Sequence, residues 1–243
     1  MRKYFLIALS LAFVFGSCRH YFGKRVKGNG NIRSEDRSVG SFKNVDVSGE
    51  TNVYVTQGQE GQHSVRIEGD ENLLQYVEVI QEGEKVIIRN KRGYNLQPSD
   101  NIKVYVTSPV YSNIDVSGAG DIIGQNKIVN PEELGFHLSG AGDIKMEVDA
   151  PALKVDISGA GSIHISGQTK DLEVEMSGAG HAHLYDLKSE NTRVNVSGVG
   201  SADVFASVKL DAEVSGVGSV TYKGDATNVS QHVSGVGSVS KAN

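Results

Sequence analysis

Apolar and polar residues alternate along the second half of the chain in a pattern that repeats every 18 to 22 residues. In the repeat around Ser158, apolar residues occupy every second position before and after a Ser-Gly-Ala-Gly segment. They are Leu153, Val155, Ile157, Ile163 and Ile165. A period of two is typical of a β-strand with one buried face. Each repeat therefore predicts two strands joined by a Ser-Gly-Ala/Val-Gly segment, which we call the corner.

The corner occurs seven times, beginning at Ser117, Ser139, Ser158, Ser177, Ser197, Ser215 and Ser234. A fixed period of this size is the mark of a solenoid, in which each repeat is one coil stacked on the last. We predict an all-β fold, a parallel β-helix with coils of about 19 residues, right-handed by the rule for parallel crossovers. The left-handed hexapeptide β-helix is the alternative, but the coils contain no six-residue repeat.

The residues of the corner favour a tight bend. Glycine at the second and fourth positions allows positive φ, and the serine hydroxyl can bond to nearby backbone. The third residue is Ala in the first four corners and Val in the last three. We expect this small apolar residue to fit a close corner.

The segment 1–18 resembles a bacterial lipoprotein signal. Arg2 and Lys3 precede an apolar run, 4–15, that is too short to span a membrane, and the run leads to Gly-Ser-Cys18. The resemblance implies that Cys18 is lipidated and becomes the mature N-terminus. An ordinary secretory signal with a chance cysteine is the alternative. Cys18 is the one cysteine, so we expect no internal disulfide and a membrane link through the lipid alone.

The remainder divides into three predicted regions. Residues 19–37 are polar and are predicted to be a flexible tether. Residues 38–110 have the same strand patterns with less regularity, and we interpret them as the irregular start of the solenoid; a separate small antiparallel domain is the alternative. A helical turn is predicted near 70–76, with Asp70 as its N-cap. Residues 111–243 form seven regular coils, and the open last coil is expected to favour self-association.

The net charge and the positions of the acidic residues indicate which partners and which catalytic roles are expected. The net charge of −5 and the lack of a basic stripe argue against nucleic acid. Polar residues two positions before each corner form a ladder of Asp115, His137, Asp156, Glu175, Asn195, Glu213 and His232. A solvated sheet face explains this ladder better than paired catalytic acids do, so we expect no enzyme and no cofactor. Glycan cleavage is the enzymatic alternative.

Three histidines are the one candidate set for a metal. His181 and His183 share a face of one predicted strand, and His164 lies one coil before His183. Three imidazoles within reach can bind Zn²⁺, but exposed histidines without a metal are commoner and no fourth ligand is evident. We therefore predict no dedicated metal site. Asp121 and Asp143 follow their corners as in calcium-binding repeats, but later coils lack the acid.

Aromatic residues are too few for an obvious sugar platform. The chain has no tryptophan, and the coils have Tyr111, Phe136, Tyr185, Phe205 and Tyr222. Phe136 and Tyr222 fall on inward positions. We expect any glycan contact to be mostly polar.

The chain resembles the bacterial family of the putative auto-transporter adhesin, head GIN domain. The resemblance rests on the lipoprotein-like start, on 42–47 (Phe-Lys-Asn-Val-Asp-Val), on 69–74 (Gly-Asp-Glu-Asn-Leu-Leu), on the strand 102–107 and on the tandem corners. It implies a β-helix without a catalytic motif that acts in adhesion. We therefore expect a non-catalytic lipoprotein of the cell envelope, anchored at the outer membrane, that binds a surface glycan or protein. A periplasm-facing structural or regulatory protein is the main alternative.

Overall fold

The computed structural model describes residues 23–242. The predicted signal segment and Cys18 lie outside the described residues. The described part is almost entirely β-structure. Residues 23–110, which we call the head, contain these elements: β1 (Lys24–Lys27), β2 (Ile32–Arg37), β3 (Asn44–Ser48), β4 (Asn52–Gln57), β5 (Ser64–Asp70), a 3-10 turn (Leu74–Tyr76), β6 (Val77–Glu82), β7 (Lys85–Asn90), β8 (Tyr94–Gln97) and β9 (Lys103–Ser108).

The strands of the coils follow without a break. They are β10 (Asn113–Val116), β11 (Ile122–Gly124), β12 (Ile128–Val129), β13 (Glu133–Leu138), β14 (Ile144–Ile157), β15 (Ser162–Met176), β16 (His181–His183), β17 (Leu187–Val196), β18 (Ser201–Phe205), β19 (Lys209–Val214), β20 (Ser219–Lys223), β21 (Asn228–Val233) and β22 (Ser238–Lys241).

Each coil stacks on the previous one in parallel register, which confirms the predicted solenoid. Strands that lead into a corner pair with their equivalents, as β13 with β14 and β17 with β19, and so do strands that leave a corner, as β18 with β20. The inward positions form buried columns. One column runs Val116, Leu138, Ile157, Met176, Val196 and Val214, each at most 2 % exposed.

The last coil closes the core with a partly polar layer. The inward column that contains Val194 and Ala212 ends at Gln231, and β21 is exposed along its whole length. Val229 and Val233 are 38 % and 42 % exposed. Two of the three inward positions of β21 are therefore apolar and partly exposed.

The corner glycines are needed for close approach, and the prediction that they adopt positive φ was wrong. Within the described residues, none of the corner glycines lies in the left-handed region. A Cβ built on Gly178 would lie 2.0 Å from the carbonyl oxygen of Gly159 in the coil below. The Ala179 amide donates to that same oxygen at 3.0 Å. The corners therefore stack backbone on backbone, without room for side chains at these positions.

The corner serines also bond between coils. The Ser117 hydroxyl donates to the Val47 carbonyl at 3.4 Å, and the Ser197 hydroxyl donates to the Met176 carbonyl at 3.3 Å. The expected local turn bond is thus replaced by a bond to the preceding coil. The third corner residue points to solvent, where Val199 is 67 % exposed.

The head mixes parallel and antiparallel pairs. β3 pairs in parallel with β10 and β7, and β4 pairs in parallel with β11 and β9, so the stacking of the coils continues into the head. Antiparallel pairs of β5 with β2, β5 with β9, and β6 with β7 complete the head.

The predicted flexible tether, 19–37, is structured wherever it is described. Its residues form β1, which pairs with β8, and β2, which pairs with β5. β2 is a mostly exposed strand of polar residues, so it lacks the apolar alternation that reveals a strand in sequence. The prediction was wrong because long-range pairing, and not local pattern, orders this segment.

Asp70 is not the N-cap of the helical turn. The 3-10 turn begins after Leu73 and has no side-chain cap. The buried Asp70 carboxylate instead accepts hydrogen bonds from the Gly30 amide at 2.6 Å and from the Ser99 amide and hydroxyl at 2.8 and 2.7 Å. One carboxylate thus joins β5 to the loop between β1 and β2 and to the loop after β8.

Among the described residues, no helix is long and apolar enough to cross a membrane.

Candidate functional site

One outward column of side chains runs from the head across the first five coils. It occupies the face of the strands that leave the corners. We call it the tyrosine–histidine column, and its members are Tyr105, Tyr54, Ile123, Lys145, His164, His183 and Asp203. Each member lies directly opposite the next in the parallel register. The column therefore places aromatic, apolar, basic and acidic groups along one straight line on the protein surface.

The head contributes the aromatic end of this column. The Tyr54 and Tyr105 rings are stacked with centroids 5.1 Å apart and an interplanar angle of 20°. Arg66 lies opposite Tyr105 on the antiparallel strand β5 and pairs with Asp36 at 2.9 Å. Both tyrosines are only partly buried. They present a flat aromatic surface with polar tips, a combination that suits contact with a wet ligand.

The other end of the column is a cluster of imidazoles. The rings of His164 and His183 stack with centroids 4.3 Å apart, and those of His181 and His183 with centroids 4.5 Å apart. His183 Nδ1 lies 3.4 Å from a carboxylate oxygen of Asp203. The structure thus brings together all three histidines identified in the sequence and adds an acid from the following coil.

Partial desolvation and the neighbouring rings disfavour the charged form of His164 and lower its pKa. Burial lowers its pKa first, and the proximity of His183, Lys145 and His181 lowers it further, while Asp143 acts in the opposite direction. A neutral imidazole stacks on its neighbour without charge repulsion. Its nitrogens also remain open to a proton donor or a cation.

Shallow grooves flank the column on both sides. The first runs between the column and Tyr185, and it is lined by Ile123, Lys145, His164 and His183. The Lys223 ammonium lies over the Tyr185 ring, 4.4 Å from its centroid. On the other side, Asp121 and Asp143 line the second groove.

The two acids that resemble calcium ligands are engaged with backbone. Asp121 Oδ1 accepts from the Asp143 amide at 3.1 Å, and Asp143 Oδ1 accepts from the Ser162 amide at 2.8 Å. Asn52 begins this series by accepting from the Asp121 amide at 3.2 Å. These side chains tie successive corners together, which explains their place in the sequence without a metal.

The polar ladder before the corners stacks as expected. Asp115, His137 and Asp156 lie opposite one another in consecutive coils, and His137 Nδ1 is 3.9 Å from an Asp156 oxygen. At the head end, Lys85 lies 4.0 Å from Asp46 and 3.6 Å from Asp115. Burial raises the pKa of Asp46, with Lys85 opposing the rise. The ladder is an outward row of mostly acidic side chains with histidines at two positions.

Sequence reasoning located the two histidines of the column but missed its other five members, Tyr54, Tyr105, Ile123, Lys145 and Asp203. Tyr54 and Tyr105 lie in the irregular head, outside the coils in which aromatic residues were sought. Asp203 follows His183 by one coil period, so extension of the histidine column by a single coil would have found it. Among the aromatic residues of the coils, Tyr111 is buried like Phe136 and Tyr222, which leaves Tyr185 and Phe205 partly exposed.

Comparison with known sequences assigns the family. The profile of the family described as putative auto-transporter adhesin, head GIN domain, matches residues 41–226. The chain belongs to this family. The match covers the head GIN region from just before β3 to the end of the sixth coil. No curated protein matches the chain significantly.

Solved structures share the fold of this head GIN protein. A putative adhesin from Bacteroides fragilis superposes with a TM-score of 0.85 at 24% identity, covering 89% of this chain and 100% of that one. A putative lipid binding protein from Parabacteroides distasonis has a TM-score of 0.70 at 22% identity, covering 90% and 100%. A putative adhesin from Parabacteroides merdae has a TM-score of 0.70 at 19% identity, again covering 90% and 100%. The family supports an adhesin-like role at the cell surface or envelope.

Proposed function

We propose that the chain is a lipid-anchored, non-catalytic binding protein of the cell envelope, an adhesin that contacts its ligand through the tyrosine–histidine column. Membership in the head GIN family carries the adhesive part of this proposal. The anchoring part is lipidation of Cys18 at the outer membrane, and the signal-like segment 1–18 supports it.

The surface of the solenoid supports binding over catalysis. The column is open and straight, with two tyrosines at one end and two histidines and an acid at the other. Its acid, Asp203, pairs with His183 and has no second carboxylate beside it in the column. A long ligand such as a polysaccharide or an extended protein segment could contact several members of the column at once. Turnover assays on a polysaccharide panel are the check on the enzymatic alternative.

We expect Cys18→Ala to release the protein from the membrane fraction completely. Cys18 is the one cysteine of the chain, so its replacement removes the proposed site of lipidation. Cell fractionation with immunoblotting measures the change. An unchanged membrane fraction for Cys18→Ala would contradict lipid anchoring.

Protease treatment of intact cells decides which face the solenoid occupies. Digestion of the wild-type protein on intact cells supports an exposed adhesin. Protection that is lost only on lysis supports the periplasm-facing structural or regulatory alternative. A periplasmic protein digested in parallel verifies that the cells stay intact.

Binding should depend on the tyrosine pair. We expect Tyr105→Ala to weaken adhesion to an immobilised panel of polysaccharides and matrix proteins by about tenfold or more, because aromatic anchors dominate binding surfaces. Phe205→Ala is the matched control, since Phe205 is a partly exposed ring outside the column. Equal loss in both variants would argue against the column as the contact surface.

Self-association through the last coil remains part of the proposal. The exposed strand β21 offers an edge and two valines to a second copy, and Gln231 limits the apolar area there. Such an interface would be modest and concentration-dependent.

A further inference from the structure

We propose that His181, His183 and Asp203 form a binding site for a divalent transition-metal ion of the Zn²⁺ type. His183 and Asp203 belong to the tyrosine–histidine column, but the metal site stands whether or not the column binds a surface ligand. It also differs from the set of three histidines that the sequence indicates, because the acid takes the place of His164.

The sheet brings the three donors together from two consecutive coils. His181 and His183 are two residues apart on β16, so their side chains leave the same face of the strand. Asp203 lies opposite His183 on the next coil, one strand spacing away. The three side chains thus stand at the corners of a small triangle on a flat, regular surface. Donors held on strands are positioned more rigidly than donors on loops.

The distances fit an ion with little rearrangement. One ligand atom from each of the three residues lies within 4.8 Å of the others. Tetrahedral zinc with bonds of about 2.1 Å places its ligands about 3.4 Å apart. Small rotations of the exposed side chains close the difference. The His183 nitrogen and the Asp203 oxygen are already 3.4 Å apart.

The donor set is one that zinc uses. Two imidazoles and a carboxylate are a common three-ligand set, and they leave the fourth position to water or to an external ligand. His164 stacks on the far side of His183 and fixes its ring orientation. The Ser201 hydroxyl lies 3.1 Å from His181 Nδ1 and 2.5 Å from His181 Nε2, so it contacts the edge of the ring that carries both nitrogens. Supporting contacts of this kind are typical around metal ligands.

Electrostatics also favour a cation at this position. Asp203 supplies a negative charge. Lys145 is the opposing cation in the column, and it lies beyond His164, two coils before His183 and three before Asp203.

Calorimetric titration of the untagged full chain in detergent with ZnCl₂ tests the site. We expect one saturable site per chain in the wild type. His183→Ala and Asp203→Asn should each weaken binding at least about tenfold. Addition of CoCl₂ should give the visible absorption bands of low-symmetry Co²⁺, and these bands should disappear in His183→Ala.

His137→Ala is the matched control. His137 is also an exposed histidine beside an aspartate of the next coil, Asp156, but it has no second imidazole on its strand. We expect this variant to bind zinc like the wild type. Absence of saturable binding in the wild type would overturn the proposal, and so would equal affinity in wild type and His183→Ala. Equal melting temperatures without metal verify that the variants are folded.

Discussion

Replacing Gly178 with alanine should lower the free energy of unfolding by at least about 3 kcal/mol. The new Cβ would lie 2.0 Å from the Gly159 carbonyl oxygen and 2.6 Å from that of Ser158. Both atoms belong to the backbone of the coil below, which cannot move without opening the stack. The Ala179 amide donates to the same Gly159 oxygen, so the shift would also break a bond between corners.

Chemical denaturation measures the effect, with Ala179→Val as the control in the same corner. Position 179 is exposed, and the later corners carry valine there, so we expect this larger change to stay within about 0.5 kcal/mol. Gly178→Asn separates close approach from backbone conformation. Asparagine tolerates positive φ, so it would be milder than alanine if conformation were the cause. If Gly178→Ala proves as stable as Ala179→Val, the close stacking of the corners is wrong.

The repeats made the coils predictable. The seven corners fixed the coil length, and alternation around them identified the inward residues, such as Val155 and Ile163, which are fully buried. The geometry of the corner was not predictable in the same way. A glycine that is needed for positive φ and one that is needed for contact with the next coil look identical in a sequence, and only the stacked backbone distinguishes them.

The head and the column escaped prediction because their contacts span long distances in sequence. Tyr54 lies opposite Ile123, 69 residues later in the chain. The strand β2 pairs with β5, which follows it 28 to 38 residues later. Neither pairing leaves a periodic signal. The histidine cluster was visible because its members are close in sequence and separated by one coil period. Asp203 lies one further coil period after His183, so the same spacing also identifies it.

The second large effect concerns Asp70, and we expect Asp70→Asn to destabilise the protein by about 2 to 3 kcal/mol at neutral pH. The carboxylate accepts three hydrogen bonds in a fully buried site. An amide keeps the shape, but its NH₂ group replaces one oxygen and therefore faces either the Ser99 amide or the Gly30 amide with the Ser99 hydroxyl, all of which donate to Asp70. Asp36→Asn is the matched control on the partner strand, because its side chain is 76% exposed and solvent screens its pair with Arg66, so we expect a much smaller change in stability.

The pH dependence of this difference identifies the charge as its cause. Burial alone would raise the Asp70 pKa, but the hydrogen bonds from Ser99 and Gly30 outweigh it and hold the pKa below its usual value. A carboxyl with a lowered folded-state pKa stabilises the protein above its unfolded-state pKa and loses this contribution as the pH falls through the folded-state value. The stability gap between wild type and Asp70→Asn should therefore be constant from pH 5 to 7 and narrow below about pH 4. A gap that stays constant on acidification would mean that packing, and not the carboxylate charge, holds the three segments together.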